Sequence, residues 1–446
     1  MGFMRTLHVA GGVVLAGVLV LASAPVASAD QTRKDQWPLE AFDAAAIWKI
    51  SKGKGVTVAV IDDGVNAQHI DLKGSVLTGK DFIDGGSTAP ASGDSHGTQM
   101  ASIIAGHGHG SGGQDGVMGL APEAKILPIR DDGTGGGDAG APIRYAVDHG
   151  ASVINISMAG PHESPDQDEA IAYALGHDVL VVAGTGNDGT GPNRPLYPAS
   201  YPGVLAVGGV KNSGLIWESS NYGPSVLVTA PATYIVSAGG KTNSSYRSGT
   251  GTSDATAFVS AAAALLRSKF PHLTAGQIVS RLTKTAGLPA GEKGLSLPDE
   301  HYGYGFIQPL AALTKDIPAG SKYGPLSVPA SLKTPSVSAT PDGTTSGQDS
   351  ASSESSSKHT LIVAALGLGA LVVLGLIIFM IVKISRRNKG DRNNGGGPGA
   401  PGGFGPTPGY PPYGQQPPQQ HNPYAQPQSN PYQQPTQAPG QWPNQQ

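Results

Sequence analysis

The segment Arg247-Ser248-Gly249-Thr250-Gly251-Thr252-Ser253-Asp254-Ala255-Thr256-Ala257-Phe258-Val259, continued by Ser260 and by Ala261 to Leu266, does most to limit what this chain can become. Glycines and hydroxyl residues run directly into a helix pattern that is apolar on nearly every side. A helix with no wet face belongs in the middle of a domain. Its N-terminus offers unpaired N–H groups and the positive end of the macrodipole, so an anion developing beside Ser253 would be stabilised there. Two readings are open for Ser253. It can be a plain helix cap, or a nucleophile, which requires a base and an orienting carboxylate elsewhere in the chain.

Composition shows where such a domain fits. Much of the Pro and Gln lies after Arg392, where no core can form, which leaves about residues 37–313 for one large α/β domain. The net charge of −3 gives no reason to expect nucleic acid as a partner. The basic cluster Lys383, Arg386, Arg387, Lys389 and Arg392 follows an apolar run and reads as a membrane flank. Cysteine is absent, so packing alone must supply stability.

Within the globular part, Val56-Thr57-Val58-Ala59-Val60-Ile61 is a β-branched run suited to a buried parallel strand. It ends in Asp62-Asp63-Gly64. A carboxylate at that end of a parallel strand lies where open α/β sheets form ligand crevices, although Asp-Gly is also ordinary turn chemistry. In Asp94-Ser95-His96-Gly97-Thr98-Gln99-Met100 a histidine opens a second helix, and the glycine after it permits close approach of another backbone. Strands are expected over 125–129, 153–157, 179–183 and 204–207, helices over 142–149 and 168–176, and an amphipathic piece over 37–50. The alternation argues for a parallel sheet with helices on both faces. The Gly-rich stretches 106–116 and 133–140 are expected as loops without phosphate-binding context. Asn187, in Gly184-Thr185-Gly186-Asn187-Asp188-Gly189, is either a turn residue or a side-chain amide aimed at a developing oxyanion.

Asp62, His96, Asn187 and Ser253, with Val58-Ala59-Val60-Ile61 before the first, Gly97-Thr98 after the second, Gly186 before the third and Gly251-Thr252 before the last, stand in the chain order of one family. In these motifs the chain resembles the subtilases, the subtilisin-like serine proteases. Weaker matches are Gly119-Leu120-Ala121-Pro122-Glu123-Ala124, Asn155-Ile156-Ser157, Ser220-Asn221-Tyr222-Gly223-Pro224 with Ala230-Pro231, and Tyr302-Gly303-Tyr304-Gly305. The resemblance implies a subtilisin-like, doubly wound, mostly parallel sheet. It also implies cleavage of protein or peptide substrates by catalytic Asp62, His96 and Ser253, with Asn187 in the oxyanion hole. Ser157, Met158, Ala159 and Gly160, with Asn155 nearby, are read as walls of the substrate cleft. No cofactor is implied. Many relatives bind calcium, but no loop here has an acidic spacing that demands it.

The short lead Gln36-Trp37-Pro38-Leu39 and a single C-terminal membrane helix make the layout similar to the mycosins, the membrane-anchored subtilases of type VII secretion systems. That secretion machinery is then an implied partner. Four positions depart from the family pattern: Asp63 where Ser or Thr is usual, Gln99 where a second His is frequent, Asp254 where an apolar residue is common, and Ala257 where Pro is frequent. Asp254 would favour the protonated form of a nearby imidazole. Mycosins tend to contain cysteines, and this chain has none.

The remaining segments concern address. Arg5, the apolar stretch from Val9 to Ala22 and Ala27-Ser28-Ala29 form a signal-peptide pattern cleaved after Ala29, an uncleaved anchor being the alternative. The expected organisation is a signal peptide at 1–29, a peptidase domain at 30–317 and a Ser/Thr/Pro-rich extracellular linker at 318–359. A transmembrane helix at 360–382 and a basic, then Pro/Gln/Gly-rich cytoplasmic tail at 383–446 follow. Leu361 to Val382 is about 22 residues without a charge, enough to span a bilayer. Positive residues after it place the tail inside and the protease outside. The rival to a membrane-tethered endopeptidase is a subtilase-shaped component that stabilises a membrane secretion complex, with proteolysis secondary; a general degradative enzyme is a third reading.

Overall fold

A strand as uniformly apolar as 57–61 can bury both faces only in a parallel sheet covered on both sides. The computed structural model, which describes residues 29–91, 96–133 and 139–333, has that arrangement. In chain order the strands are β1 (Thr57–Asp62), β2 (Lys80–Asp81), β3 (His107–His109), β4 (Asp115–Met118), β5 (Lys125–Arg130), β6 (Val153–Ile156), β7 (Leu180–Gly184), β8 (Val204–Val210), β9 (Val226–Pro231), β10 (Ile235–Ala238) and β11 (Tyr246–Gly249). Seven of them form the main sheet in the order β2-β5-β1-β6-β7-β8-β9, every neighbouring pair parallel. β3 with β4, and β10 with β11, make two separate antiparallel pairs. The strand order reverses at β1, which pairs with β5 on one edge and β6 on the other. Such a reversal opens a crevice at the carboxyl ends of the strands, and Asp62 is the last residue of β1.

The helices are α1 (Ala29–Lys34), α2 (Trp37–Ala41), α3 (Ala44–Trp48), α4 (His96–Ala105), α5 (Ala141–Asp148), α6 (Pro165–Gly176), α7 (Thr252–Lys269), α8 (Ala275–Thr285) and α9 (Pro309–Thr314). Period-two alternation along β1 divides the core. Val58 and Val60 join Met100, Ile103 and Ile104 of α4 and Phe258, Val259 and Leu265 of α7. Ala59 and Ile61 join Ile143 and Ala146 of α5 and Ala170 and Ile171 of α6 in a second cluster. α7 is buried along nearly its whole length, with Ala261, Ala262, Ala263 and Ala264 fully covered. These small side chains let it lie against β6, β7, β8 and β9 while α4, α8 and α9 close its other sides. Leu265, Leu266 and Val259, all fully buried, each contribute about 1.5–3 kcal/mol by leaving water.

Several local expectations change. The piece 37–50 breaks into α2 and α3 because Asp43 turns left-handed (φ 53°) and its side chain accepts from the Ala46 N–H at 3.2 Å, which starts a new helix. The stretch 106–116 is not all loop, since β3 and β4 pair within it. Carbonyls of Gly113, Asp115 and Gly116 converge there on the Arg33 guanidinium at 3.1, 3.3 and 3.0 Å. Gln36 exchanges two hydrogen bonds with the backbone of Met118, and the Trp37 indole donates to the Thr233 carbonyl at 3.0 Å. The lead before β1 is thus fastened to the body of the domain. Arg247 to Gly249, the start of the segment that runs into the buried helix, belongs to β11. The stretches 1–28 and 334–446, which hold most of the signal-peptide reading, the linker beyond 333, the membrane span and the tail, lie outside the described residues. Among the described residues no helix is long and apolar enough to cross a membrane.

Candidate active site

Asp62 is delivered by β1 to the crevice with a carboxylate only 1% exposed. A buried carboxylate needs partners, and His96 supplies one: its Nδ1 lies 2.8 and 3.0 Å from the two Asp62 oxygens. His96 is the first residue of α4, and the next carboxylate on β1's exit fixes that helix end. Asp63 accepts from the backbone N–H of His96 at 3.1 Å and of Gly97 at 2.7 Å. These are first-turn donors that have no partner within the helix. Gly97 is required by contact, because a Cβ there would lie 2.4 Å from the Gly64 carbonyl oxygen and 2.9 Å from Asp62 Cβ. Any side chain would push the imidazole away from Asp62.

Ser253 stands at the second position of α7. The N-cap is Gly251, which is extended and makes no side-chain cap bond. The Ser253 hydroxyl donates to the Ser157 carbonyl at 3.1 Å. It therefore serves a different element from its own helix, unlike a cap. Ser157 answers with its own hydroxyl, donating to the Ser253 carbonyl at 3.2 Å and accepting from Asn155 Nδ2 at 3.0 Å. Asn155 Oδ1 accepts from Ser260 Oγ at 2.9 Å. Asn155 is fully buried, so it is not a cleft wall but an internal tie between β6 and α7.

Asn187 follows β7 and is exposed. Its Oδ1 accepts from both the N–H and the hydroxyl of Thr252, each at 2.9 Å. Thr252 Oγ1 in turn accepts from the Gly186 N–H at 3.2 Å. With the carbonyl end of the amide held, the Nδ2 end is left as the donor available to the cavity. His96, Asn187, Ser253, Asp63, Asp254 and Arg247 all line that cavity, of about 530 Å³. Met158, Ala159 and Gly160 line a neighbouring one of about 410 Å³ with Ile61, Ile143 and Tyr197, while Ser157 sits beside Ser253 itself.

Charge is concentrated around the imidazole. Burial pulls His96 down, but the charge and hydrogen bond of Asp62, with the charges of Asp63 and Asp254, carry it up to about 9. Burial pushes Asp63 up, as does the charge of Asp62, against the N–H groups of Gly97 and His96. Burial pushes Asp254 up to about 7, against the pull of His96 and of its own N–H.

A model described as the subtilase family, peptidase S8, matches residues 53–305, the span that contains all of this geometry. The chain belongs to the subtilase family. This subtilase is a serine-type endopeptidase acting on protein or peptide substrates. It is 38% identical to thermitase of Thermoactinomyces vulgaris over 238 residues, covering 52% of this chain and 82% of that protein. It is 35% identical to mycosin-1 of Mycobacterium tuberculosis over 349 residues, covering 66% of this chain and 76% of mycosin-1. Among solved structures it is similar to MycP1 from the ESX-1 type VII secretion system, with a TM-score of 0.57 and 29% identity, covering 68% of this chain and 91% of MycP1. Within the family the likeness is to the mycosins.

Two contributors to this subtilase site were not singled out as site residues from the sequence. Thr252, which orients Asn187, differs from a plain helix starter only by standing immediately before Ser253. Asp63 stood out as a departure from the family pattern, yet its use as a borrowed cap for α4 depends on a strand and a helix meeting in space.

Proposed function

We propose that this subtilase cleaves peptide bonds through Ser253 as nucleophile, His96 as general base and then acid, and Asp62 as the orienting carboxylate. The observation that carries the reading is the imidazole bound through Nδ1 to buried Asp62, in one cavity with a helix-terminal serine whose hydroxyl bonds away from its own helix. On this reading Ser253 Oγ gives up the Ser157 carbonyl and turns to His96 Nε2 when substrate binds, since catalytic hydrogen bonds tighten on forming the complex. Oγ attacks the peptide carbonyl as Nε2 takes its proton, and the same proton goes to the leaving amine. Water then attacks the acyl-enzyme by the reverse use of His96. Asp62 keeps the Nδ1 proton in place and stabilises the imidazolium. Asn187 Nδ2, with the Ser253 N–H, receives the oxyanion at the positive end of α7.

The cleft walls on this reading are Ser157, Met158, Ala159 and Gly160. The domain 30–317 is held outside the cell by a span at 360–382, after removal of 1–29, with 318–359 as spacer and 383–446 inside. Likeness to mycosin-1 and to MycP1 of a type VII system supports a role beside such a machinery. No cofactor is required for the chemistry.

The test is labelling of the full-length protein in membranes by a fluorophosphonate probe. Wild type labels; Ser253→Ala does not, with kcat lower by about 10⁶-fold, the size known from subtilisin, a member of the same family. Labelling of Ser253→Ala at the wild-type rate would refute the assignment. Comparing secretion in a Ser253→Ala strain with that in a full deletion separates the enzymatic role from a structural one.

A further inference from the structure

Of the two acidic groups that line the cavity among the described residues, Asp63 caps α4 and Asp254 has no part in the reaction as derived. Asp254 follows Ser253 on the first turn of α7 and is only 4% exposed, yet it lines the same cavity as His96. Its Oδ1 has no hydrogen-bond partner among the described residues. Both carboxyl oxygens lie 3.4 Å from where a Gly249 Cβ would stand, and so does Gln99 Oε1. The carboxyl is therefore wedged between β11 and α4, with no cation among the described residues bonded to its Oδ1.

A buried carboxyl of this kind is costly to ionise, and structural needs alone would favour an apolar side chain in so tight a place. The ionisable groups that face His96 are Asp62 and Asp63 from the end of β1 and Asp254 from α7, while Arg247 of β11 also lines the cavity. Asp62 is committed to Nδ1 and Asp63 to the end of α4. Asp254 is the member of the set whose Oδ1 is left without such a commitment.

We propose that Asp254 is a positioning residue for proton transfer, a buried carboxyl that acts through His96 and makes cleavage by this protease depend on a coupled pair of ionisations. The proposal rests on the assignment of His96 as the general base. In acid the carboxyl is neutral and leaves the imidazole to Asp62 and Asp63. As the medium becomes more alkaline the carboxyl ionises and its charge holds the imidazolium, the form that cannot accept the Ser253 proton. The upward displacement of both groups, Asp254 to about 7 and His96 to about 9, agrees with that sequence of events. Between the two ionisations, moving the proton from His96 to Asp254 regenerates an active form without loss of a proton to solvent. The acid limb is therefore drawn out over a wider range than one group would give.

The experiment measures the second-order rate of fluorophosphonate labelling of the full-length protein in detergent, from about pH 5 to about pH 10. Wild type should give a shallow acid limb that two coupled ionisations fit and one does not. Asp254→Asn, which keeps the shape and removes the charge, should give a single ionisation displaced to lower pH by about one unit, and so label up to about tenfold faster near pH 7. An Asn variant whose limb keeps the wild-type position and shape, with only the height changed, overturns the proposal. If Asp254→Asn does not fold, the wild-type limb decides, because a single ionisation there overturns the proposal equally. Ser253→Ala is run alongside: residual labelling in that variant would indict the nucleophile assignment, whereas a silent Ser253→Ala with an unchanged Asp254→Asn limb would sink this inference alone.

Discussion

Two helix N-termini meet at the candidate site, and they are finished in opposite ways. The first turn of α4 is closed by Asp63, which takes the N–H groups of His96 and Gly97. α7 begins at Gly251 without any side-chain cap of its own, and its Thr252 N–H and hydroxyl are used to hold Asn187. The same four orphan donors exist at every helix start. At α4 two of them fix a side chain; at α7 the partners are turned to orient an amide and leave the dipole facing the cavity. A capped end makes a rigid mount for a base, and an uncapped end makes a receptor for developing negative charge.

Substitutions at three positions sharpen or break that contrast. The largest effect is expected at Asn187→Ala, which removes the amide from the open end: kcat falls by about 10²- to 10³-fold, the magnitude known for such a donor in subtilisin, with little change in KM. A rise in KM with kcat unchanged would mean that Asn187 binds substrate and does not serve the transition state. Next comes the closed end. Asp63→Ala should cost about 0.5–2 kcal/mol in urea unfolding, and Asp63→Asn much less, because an amide oxygen can still accept from the helix N–H groups. Equal losses in the two variants would show that the charge of Asp63 matters and its capping does not. The smallest effect on kcat is expected at Thr252→Val, which keeps volume but removes one hydroxyl. Asn187 loses one of its two restraints, worth about 1 kcal/mol, and kcat should fall by about fivefold, while the Gly186 N–H left without its acceptor lowers stability in urea unfolding by about 1–3 kcal/mol. A fall as large as that of Asn187→Ala would mean the amide has no second support, contrary to the Thr252 N–H bond.

The sheet was legible because its signal is local. β1, β5, β6, β7 and β8 are apolar and β-branched runs, and the structure extends or trims them by a residue or a few at their ends. β10 and β11 carry weaker patterns, with exposed Arg247 and Ser248 in the second, and exist because each has the other to pair with. The lead was legible only as amphipathic. Its attachment through Arg33, Gln36 and Trp37 joins positions 80 or more apart in the chain, beyond what periodicity can express.

The same division holds at the site. Residue types and their order along the chain determined that Asp62 ends a buried strand, that His96 and Ser253 open apolar helices, and that Asn187 lies in a glycine turn, because propensity and hydrophobic period are written within a dozen residues. Tertiary structure decided which partner each polar atom receives. Only the crossing of β1 with α4 gives Asp63 to the N–H groups of His96 and Gly97. Packing of α7 on β6 takes Asn155 out of the cleft and seals it inside. Burial between β11 and α4 leaves Asp254 Oδ1 without a hydrogen-bond partner among the described residues. The physical reason is common to all three: a buried polar group must find its partner across space, and that distance is set by how the layers pack.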